Sequence, residues 1–429
     1  TKTYHEIFGD DYYLQIQNHN NQFDDKVCEV IPQIANKFGI KTIATNDTHY
    51  RYKEHAVAHN IHLYIKDGGK NEIDVTNLRF GSPEFYIKSP DEMKEIFKDI
   101  PEAIDNTYEV FEKCDVDFKS KIFGKIHKQN QLGMLAPSFV NFLFQNKASS
   151  RLIKSVLGVA QERSLPKLNR QTFRKWFVRQ SINSDGKNGS VFFFVDEFTN
   201  YNDLEIGKKA VMLLNALGFG VKVVNHEVSG RTYISKGLLD DAKLCAEKNV
   251  YTFEKLISKE TPLIGIEPSA LLTFRDEYPK LLRGEMQEKA KTLAKNCFTI
   301  EEFLNRTSKT IDFTSRFTDD KKHVKVHVHC HQKALSNKQN SKDILSLPKN
   351  YSSEIIDSAC CGMAGSFGYE KEHYEVSMQM GALKLFPAVA DAGPEVLIAA
   401  SGTSCRHQIK DGTQKTAKHP VEILYEALA

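Results

Sequence analysis

The spacing of hydrophobic positions changes character along the chain, and each change predicts a different kind of element. Residues 11–17 (DYYLQIQ) alternate apolar and polar, as a half-buried strand does. Residues 25–37 follow with helical spacing, which puts Val27, Val30, Ile31 and Ile34 on one face, and Gly39 stands just past the end. Residues 41–45 (KTIAT) form a second short strand that runs into Asn46-Asp47-Thr48-His49-Tyr50. Between 119 and 159 the apolar residues cluster at helical intervals, with Lys and Arg around them. The first cluster is Leu132, Met134, Leu135, Phe139, Val140, Phe142 and Leu143, and the second is Leu152, Ile153, Val156 and Leu157. Residues 181–190 (SINSDGKNGS) read as a polar linker.

Beyond that linker, residues 190–282 and 323–412 read as two copies of one plan. The first predicts strands at 191–196, 221–225 and 263–266 with helices at 204–217, 238–257 and 269–281. The second predicts strands at 324–329, 354–357 and 396–400 with helical segments at 343–347, 369–385 and from Thr403 onward. Strands alternating with helices imply parallel sheets covered by helices. The expected fold class is α/β, with two pseudo-repeated parallel units preceded by a helical connector and a shorter α/β fragment. The expected domains are 1–117, 118–189, 190–320 and 321–429.

Composition supports this picture without adding a function. Of 429 residues, 41% are hydrophobic and 26% charged, which suits a globular protein and excludes a disordered or coiled-coil chain. No apolar run reaches the roughly 18 residues of a membrane span. The polar start is no secretory signal, and Thr1 in place of an initiator Met suggests a chain that begins inside a longer reading frame. Eight cysteines without a signal point to reduced thiols, metal ligands or buried apolar positions in a cytoplasmic protein. Charge marks a boundary: residues 1–118 hold 13 Lys and Arg against 22 Asp and Glu, whereas residues 119–190 hold 14 against 2. For the basic connector the preferred expectation is a helical arm packed on its own domain. The alternative is an amphipathic element peripheral to the anionic inner face of a membrane. No nucleic-acid motif accompanies the charge, and no nucleic-acid binding is expected.

Candidate chemistry lies in two places. Cys330, Cys360, Cys361 and Cys405 each follow a predicted strand of the second copy, at the carboxyl edge where loops of a parallel sheet converge on one crevice. Thiols near helix N-termini ionise more easily and so suit metal binding. The loop with Gly362, Gly365 and Gly368 lets backbone N–H groups approach sulfur. An iron–sulfur cluster is preferred, with zinc, a redox-active disulfide and plain buried thiols as the alternatives. The remaining cysteines, Cys28, Cys114, Cys245 and Cys297, are scattered and read as small buried hydrophobes. In the first copy Val228-Ser229-Gly230 aligns with Cys360-Cys361-Gly362, and Ser269-Ala270 with Ser404-Cys405, so that crevice has no sulfur. The other candidate is Asp47 with His49. Asp-x-His at a strand end can hold metal, with His19 as one further ligand, but it is also an ordinary turn sequence. No catalytic side chain is assigned.

Two resemblances follow from these residues. FGDDYYLQIQNH, GIKTIATNDTHYRYKEHAVAHNIHLYI and RFGSPEFYIKSPDEMKEIFKDIPEAIDNTYEVFEKCDV resemble the closing part of the PHP domain of the bacterial DNA polymerase III alpha subunit, over about residues 5–117. The resemblance implies that Asp47 and His49 are metal ligands. The ligands from the earlier part of that domain, and the polymerase body, have no counterpart here, so the segment reads as an inactive remnant, with a metal-dependent phosphoesterase or polymerase-associated module using Asp47 and His49 as the alternative. HCHQKAL (329–335), SACCGMAGSFGYEKEHYEVSMQMGALKLFPAV (358–389) and SGTSCRHQIKDGT (401–413) resemble the cysteine-rich CCG domain. With ERSLPKLNRQTFRKWF (162–177), they resemble its version in FAD-linked oxidases of the D-lactate dehydrogenase and glycolate oxidase type, over about 118–429. That implies an electron-transfer module whose FAD belongs to a flavin-containing dehydrogenase domain or subunit outside this chain. Ser229 and Ala270 depart from the cysteines that such a family has in its first copy.

Overall fold

The structure is a computed structural model that describes residues 1–66, 77–113 and 118–429; Cys114 falls outside the described residues. The chain divides into two compact units, Thr1–Asp115 and Val116–Ala429.

The first unit is built on two short parallel strands, β1 (Tyr13–Ile16) and β2 (Lys41–Ala44), with Ile16 opposite Ala44. The helix Gln22–Phe38 crosses between them. Asn21 caps its start by accepting from Phe23 and Asp24 N–H, and Gly39 ends it at φ 64°, where glycine meets no Cβ penalty. The helical period was legible, but the face was not. Val27 and Val30 are exposed, whereas Ala35 is buried and Cys28 and Ile31 pack on Ile16, Ala44, Phe97 and Ala103. Two strands cover only one narrow stripe of a helix, so the sheet selects which apolar residues go inside. The helix Pro101–Lys113 completes this core, with Thr107 Oγ1 donating to Ala44 O at 3.0 Å and Asn106 Nδ2 to Thr42 O at 2.8 Å.

The second unit opens with helices Phe118–Gly124, Ile126–Gly133, Pro137–Gln145 and Lys147–Leu157. Part of their apolar surface packs inward, as where Gly133 abuts Leu168 and Val140. Leu132, Leu135, Phe139, Phe142, Leu152 and Val156 are instead exposed, so the arm leaves apolar as well as basic surface uncovered. Among the described residues no helix is long and apolar enough to cross a membrane.

The two copies follow. The first has β3 (Ser190–Phe193), β4 (Gly220–Lys222), β5 (Leu263–Gly265) and β6 (Cys297–Thr299). The second has β7 (Lys322–His327), β8 (Tyr351–Ile355) and β9 (Val396–Ala400). All pairings are parallel, in the orders β4-β3-β5-β6 and β8-β7-β9, so the first strand of each copy lies between its second and third. β6 was not foreseen: Cys297-Phe298-Thr299 is too short to show a period. The helix expected over 269–281 is broken into Pro268–Leu271, a 3₁₀ turn at Leu272–Phe274 and Glu277–Leu281. The copies share one core that joins Val191, Phe193 and Val195 to Val324, Val326, Val328 and Leu424. Buried polar contacts also run between them. Glu267 Oε2 accepts from Thr403 N at 2.8 Å, Arg406 donates to Asp203 at 2.6 Å, and Ser401 donates to the fully buried Glu301.

Candidate metal centre

The four cysteines follow the carboxyl ends of β7, β8 and β9, and their ligand atoms fall into two groups, Cys361 and Cys405 with His327, and Cys330 with His329 and His331. After β7 the helix Cys330–Leu335 starts, and His329 caps it, its Nδ1 accepting from His331 N at 3.1 Å. After β8 the chain reaches Cys360 and Cys361, and after β9 the helix Thr403–Thr413 carries Cys405 in its first turn. The thiols form a continuous row of contacts, Cys330 with Cys360, Cys360 with Cys361, and Cys361 with Cys405. Donation from Cys330, and then from Cys361 and the Gly362 N–H (3.3 Å), pulls the Cys360 thiol far below its usual range. Donation from Cys361 likewise holds Cys405 low, while Cys330 and Cys361, as the donors, are pushed up.

Sequence reasoning passed over the histidines here. His327, Cys361 and Cys405 offer ligand atoms within 4.8 Å of one another, and so do His329, Cys330 and His331. His327 is buried, and its Nδ1 engages Ser358 Oγ at 2.8 Å, which leaves Nε2 for the sulfurs. Burial lowers His331 to about 4, so its ring is neutral and able to ligate. The signal was present as the alternating His327-x-His329-Cys330-His331 at a strand end.

The glycine loop has divided duties. Gly362 has φ 97°, and a Cβ there would stand 2.2 Å from Ser377 O, so only glycine lets its N–H reach Cys360. Gly365 faces Ser235 of the first copy instead, and the Gly368 carbonyl accepts from Arg163 Nε at 2.6 Å. Arg163, fully buried, also donates to Ser377 Oγ at 2.9 Å and pairs with Asp411 at 3.3 Å. It thereby ties the segment before the first copy to the loop around the sulfurs. Cys245 and Cys297 lie outside the row of thiols; burial raises Cys245 to about 12 and Cys297 higher still, which fits inert core positions.

The first copy repeats the frame with other side chains. Asp196 stands where His329 does and caps the helix Glu197–Tyr201. Glu197 replaces Cys330, Ser229 replaces Cys361 and Ala270 replaces Cys405. Glu197 Oε1 accepts from Ser229 Oγ at 2.8 Å, and its other oxygen accepts from Ser229 N at 3.2 Å, so this crevice is closed by a hydrogen-bonded pair.

In the first unit His49 Nε2 lies 3.0 Å from Asp47 Oδ2. His19 is not a free ligand: its Nε2 accepts from Asp47 N at 3.1 Å and its Nδ1 donates to Asp24 at 2.8 Å. Among the described residues no third ligand atom joins Asp47 and His49 within 4.8 Å.

Comparison with known proteins gives each unit separate relatives. Residues 324–410 match the model of the cysteine-rich domain designated CCG. A subunit of the anaerobic glycerol-3-phosphate dehydrogenase of Escherichia coli is 29% identical over 295 residues, which covers 68% of this chain and 72% of that protein. D-2-hydroxyglutarate dehydrogenase of Haemophilus influenzae is 25% identical over 68% of this chain, but the match spans 29% of that protein. The alpha subunit of DNA polymerase III of Campylobacter jejuni is 42% identical over 114 residues, 27% of this chain and 9% of that protein. The chain thus carries a CCG cysteine-rich domain at its carboxyl-terminal end, on a stretch related to dehydrogenase subunits, behind an N-terminal region related to the polymerase III alpha subunit.

Proposed function

We propose that the second unit is the iron–sulfur electron-transfer module of a FAD-linked oxidoreductase acting on a 2-hydroxy acid of the lactate or glycolate type. The observation that carries this reading is the unbroken row of four sulfurs at the ends of three adjacent parallel strands. A donor set so rich in soft thiolates suits iron–sulfur chemistry, which would supply electron transfer there. Cys330, Cys360, Cys361 and Cys405 would hold the cluster, and the Gly362 N–H would hydrogen-bond to a ligand sulfur and tune its potential. The flavin partner would be a separate domain or subunit in the cytoplasm. Its relatives' names support dehydrogenase chemistry, and the hydroxy-acid substrate is our own extension of them.

A zinc site is the second reading, favoured by the compact His327, Cys361 and Cys405 group. One experiment separates the two. The full chain, purified anaerobically, should contain iron and acid-labile sulfide in similar amounts and absorb broadly near the visible region. Stoichiometric zinc without sulfide would overturn the first reading and establish the second.

We also propose a membrane-surface association through the helices Pro137–Gln145 and Lys147–Leu157. Phe139, Phe142, Leu152 and Val156 are exposed there beside Lys147 and Arg151, an apolar and basic surface suited to anionic lipid. Flotation with anionic but not neutral vesicles is expected, and equal recovery with both would count against it.

A further inference from the structure

The first copy, which lacks the row of cysteines, borders a cavity of about 810 Å³ at the carboxyl ends of its strands. Crevices at this edge of a parallel sheet are where such folds bind ligands. The wall charges are unequal in their commitments. Asp196 is occupied as a helix cap, accepting from Phe198 N at 2.9 Å and Thr199 N at 3.0 Å. Glu197 is bound to Ser229, and Glu227 pairs with Lys248 at 3.0 Å, which leaves Glu247 as the one lining carboxylate with no hydrogen-bond or ion-pair partner among the described residues. Arg174, on the helix Phe173–Val178, has no carboxylate partner among the described residues. Its Nη1 donates to Val224 O and Asn225 Oδ1, both at 3.2 Å, and its Nη2 donates to His226 O at 3.0 Å. Guanidinium carries five N–H groups. Three are thus used to hold it against the loop after β4, which leaves two without a hydrogen-bond partner among the described residues, on a side chain that lines the cavity. Across the wall, the buried Nδ1 of His127 also has no hydrogen-bond partner among the described residues.

We infer that this cavity binds a small metabolite bearing an oxyanion, a carboxylate or a phosphate ester, seated on Arg174 with His127 as a second contact. A braced guanidinium with unfilled donors is suited to such a group, because charge-assisted hydrogen bonds from Arg to carboxylate or phosphate are stronger than neutral ones. Duplication would then have separated two tasks, with sulfur chemistry in one copy and anion recognition in the other.

The test is titration calorimetry of the full chain with inorganic phosphate in one arm and D-lactate and malate in the other. Saturable binding in either arm is expected, and the stronger arm identifies the phosphate or the carboxylate source. Arg174→Gln should weaken that binding about tenfold or more, the loss expected for one charge-assisted contact. Because Arg174 also braces a loop, His127→Ala is a second variant, and it should weaken binding without changing the circular dichroism spectrum. Cys361→Ser should leave anion binding intact whether or not a cluster is present, so failure here and failure of the redox reading are distinguishable. Absence of saturable binding in both arms, undiminished binding in both variants, or uptake of divalent cations with no anion binding would overturn the inference.

Discussion

The two copies of the second unit share a strand order and differ in what stands at three loop positions. In the carboxyl-terminal copy Cys330, Cys361 and Cys405, with Cys360, make a row of interacting thiols. In the first copy Glu197, Ser229 and Ala270 stand at the matching places, and Glu197 with Ser229 forms a closed pair. The helix before each site is capped in the same manner, by His329 in one and Asp196 in the other. A frame of parallel strands fixes where loop residues meet, and only the side chains placed there decide which chemistry the meeting supports.

The strongest way to break this comparison is to remove a sulfur. Cys361→Ser should abolish or nearly abolish iron and sulfide content, whereas Cys297→Ser, on β6, should leave both unchanged. Equal iron in the two variants would show that the row of thiols is not the metal site.

Next in size is the clamp on the glycine loop. Arg163→Ala removes a fully buried guanidinium from Asp411, Ser377 and the Gly368 carbonyl. Breaking such a buried pair costs about 3–5 kcal/mol, which chemical denaturation would register. A loss under ~1 kcal/mol would mean that the loop is held by its other contacts.

A pH dependence should come from the first copy's cap. Burial raises Asp196 to about 8, with the neighbouring Glu197 and Glu267 carboxylates adding to it. The folded state therefore keeps a proton that the unfolded state releases near its ordinary value of about 4. Stability from this group is full below that lower value and is lost as pH rises toward about 8. Asp196→Asn should flatten the fall in melting temperature between those limits, and an unchanged slope would assign it to other groups.

The smallest effect expected is Ser229→Ala, which leaves the buried Glu197 short of donors. The cost should be about 1–3 kcal/mol, that of a buried acceptor left unsatisfied. Glu197→Gln in the same background should recover part of it, because an amide buries at less expense than a carboxylate.

Much of this architecture was legible in the residues. Runs such as Val396–Ala400 carry enough apolar period to mark a strand, and the strand predicted over 396–400 coincides with β9. The duplication was visible because Ser229-Gly230 and Cys361-Gly362 sit at matching distances from their strands. What escaped was short or long-range. β6 has three residues and gains its place only by pairing with β5. Arg163 reads as one more charge in a basic segment, and its partners Gly368, Ser377 and Asp411 lie more than 200 residues away.

By itself, then, the sequence determined the class of elements and the division between an acidic and a basic segment. Those properties depend on composition and on neighbours within a turn or a strand. The tertiary structure decided which face of Gln22–Phe38 is buried, that the connector's Phe139 and Leu152 stay exposed, and that His327 stands within 4.8 Å of Cys361 and Cys405. The physical reason is that burial and contact distance depend on what lies opposite a side chain, and in a parallel sheet the opposing group comes from a distant strand.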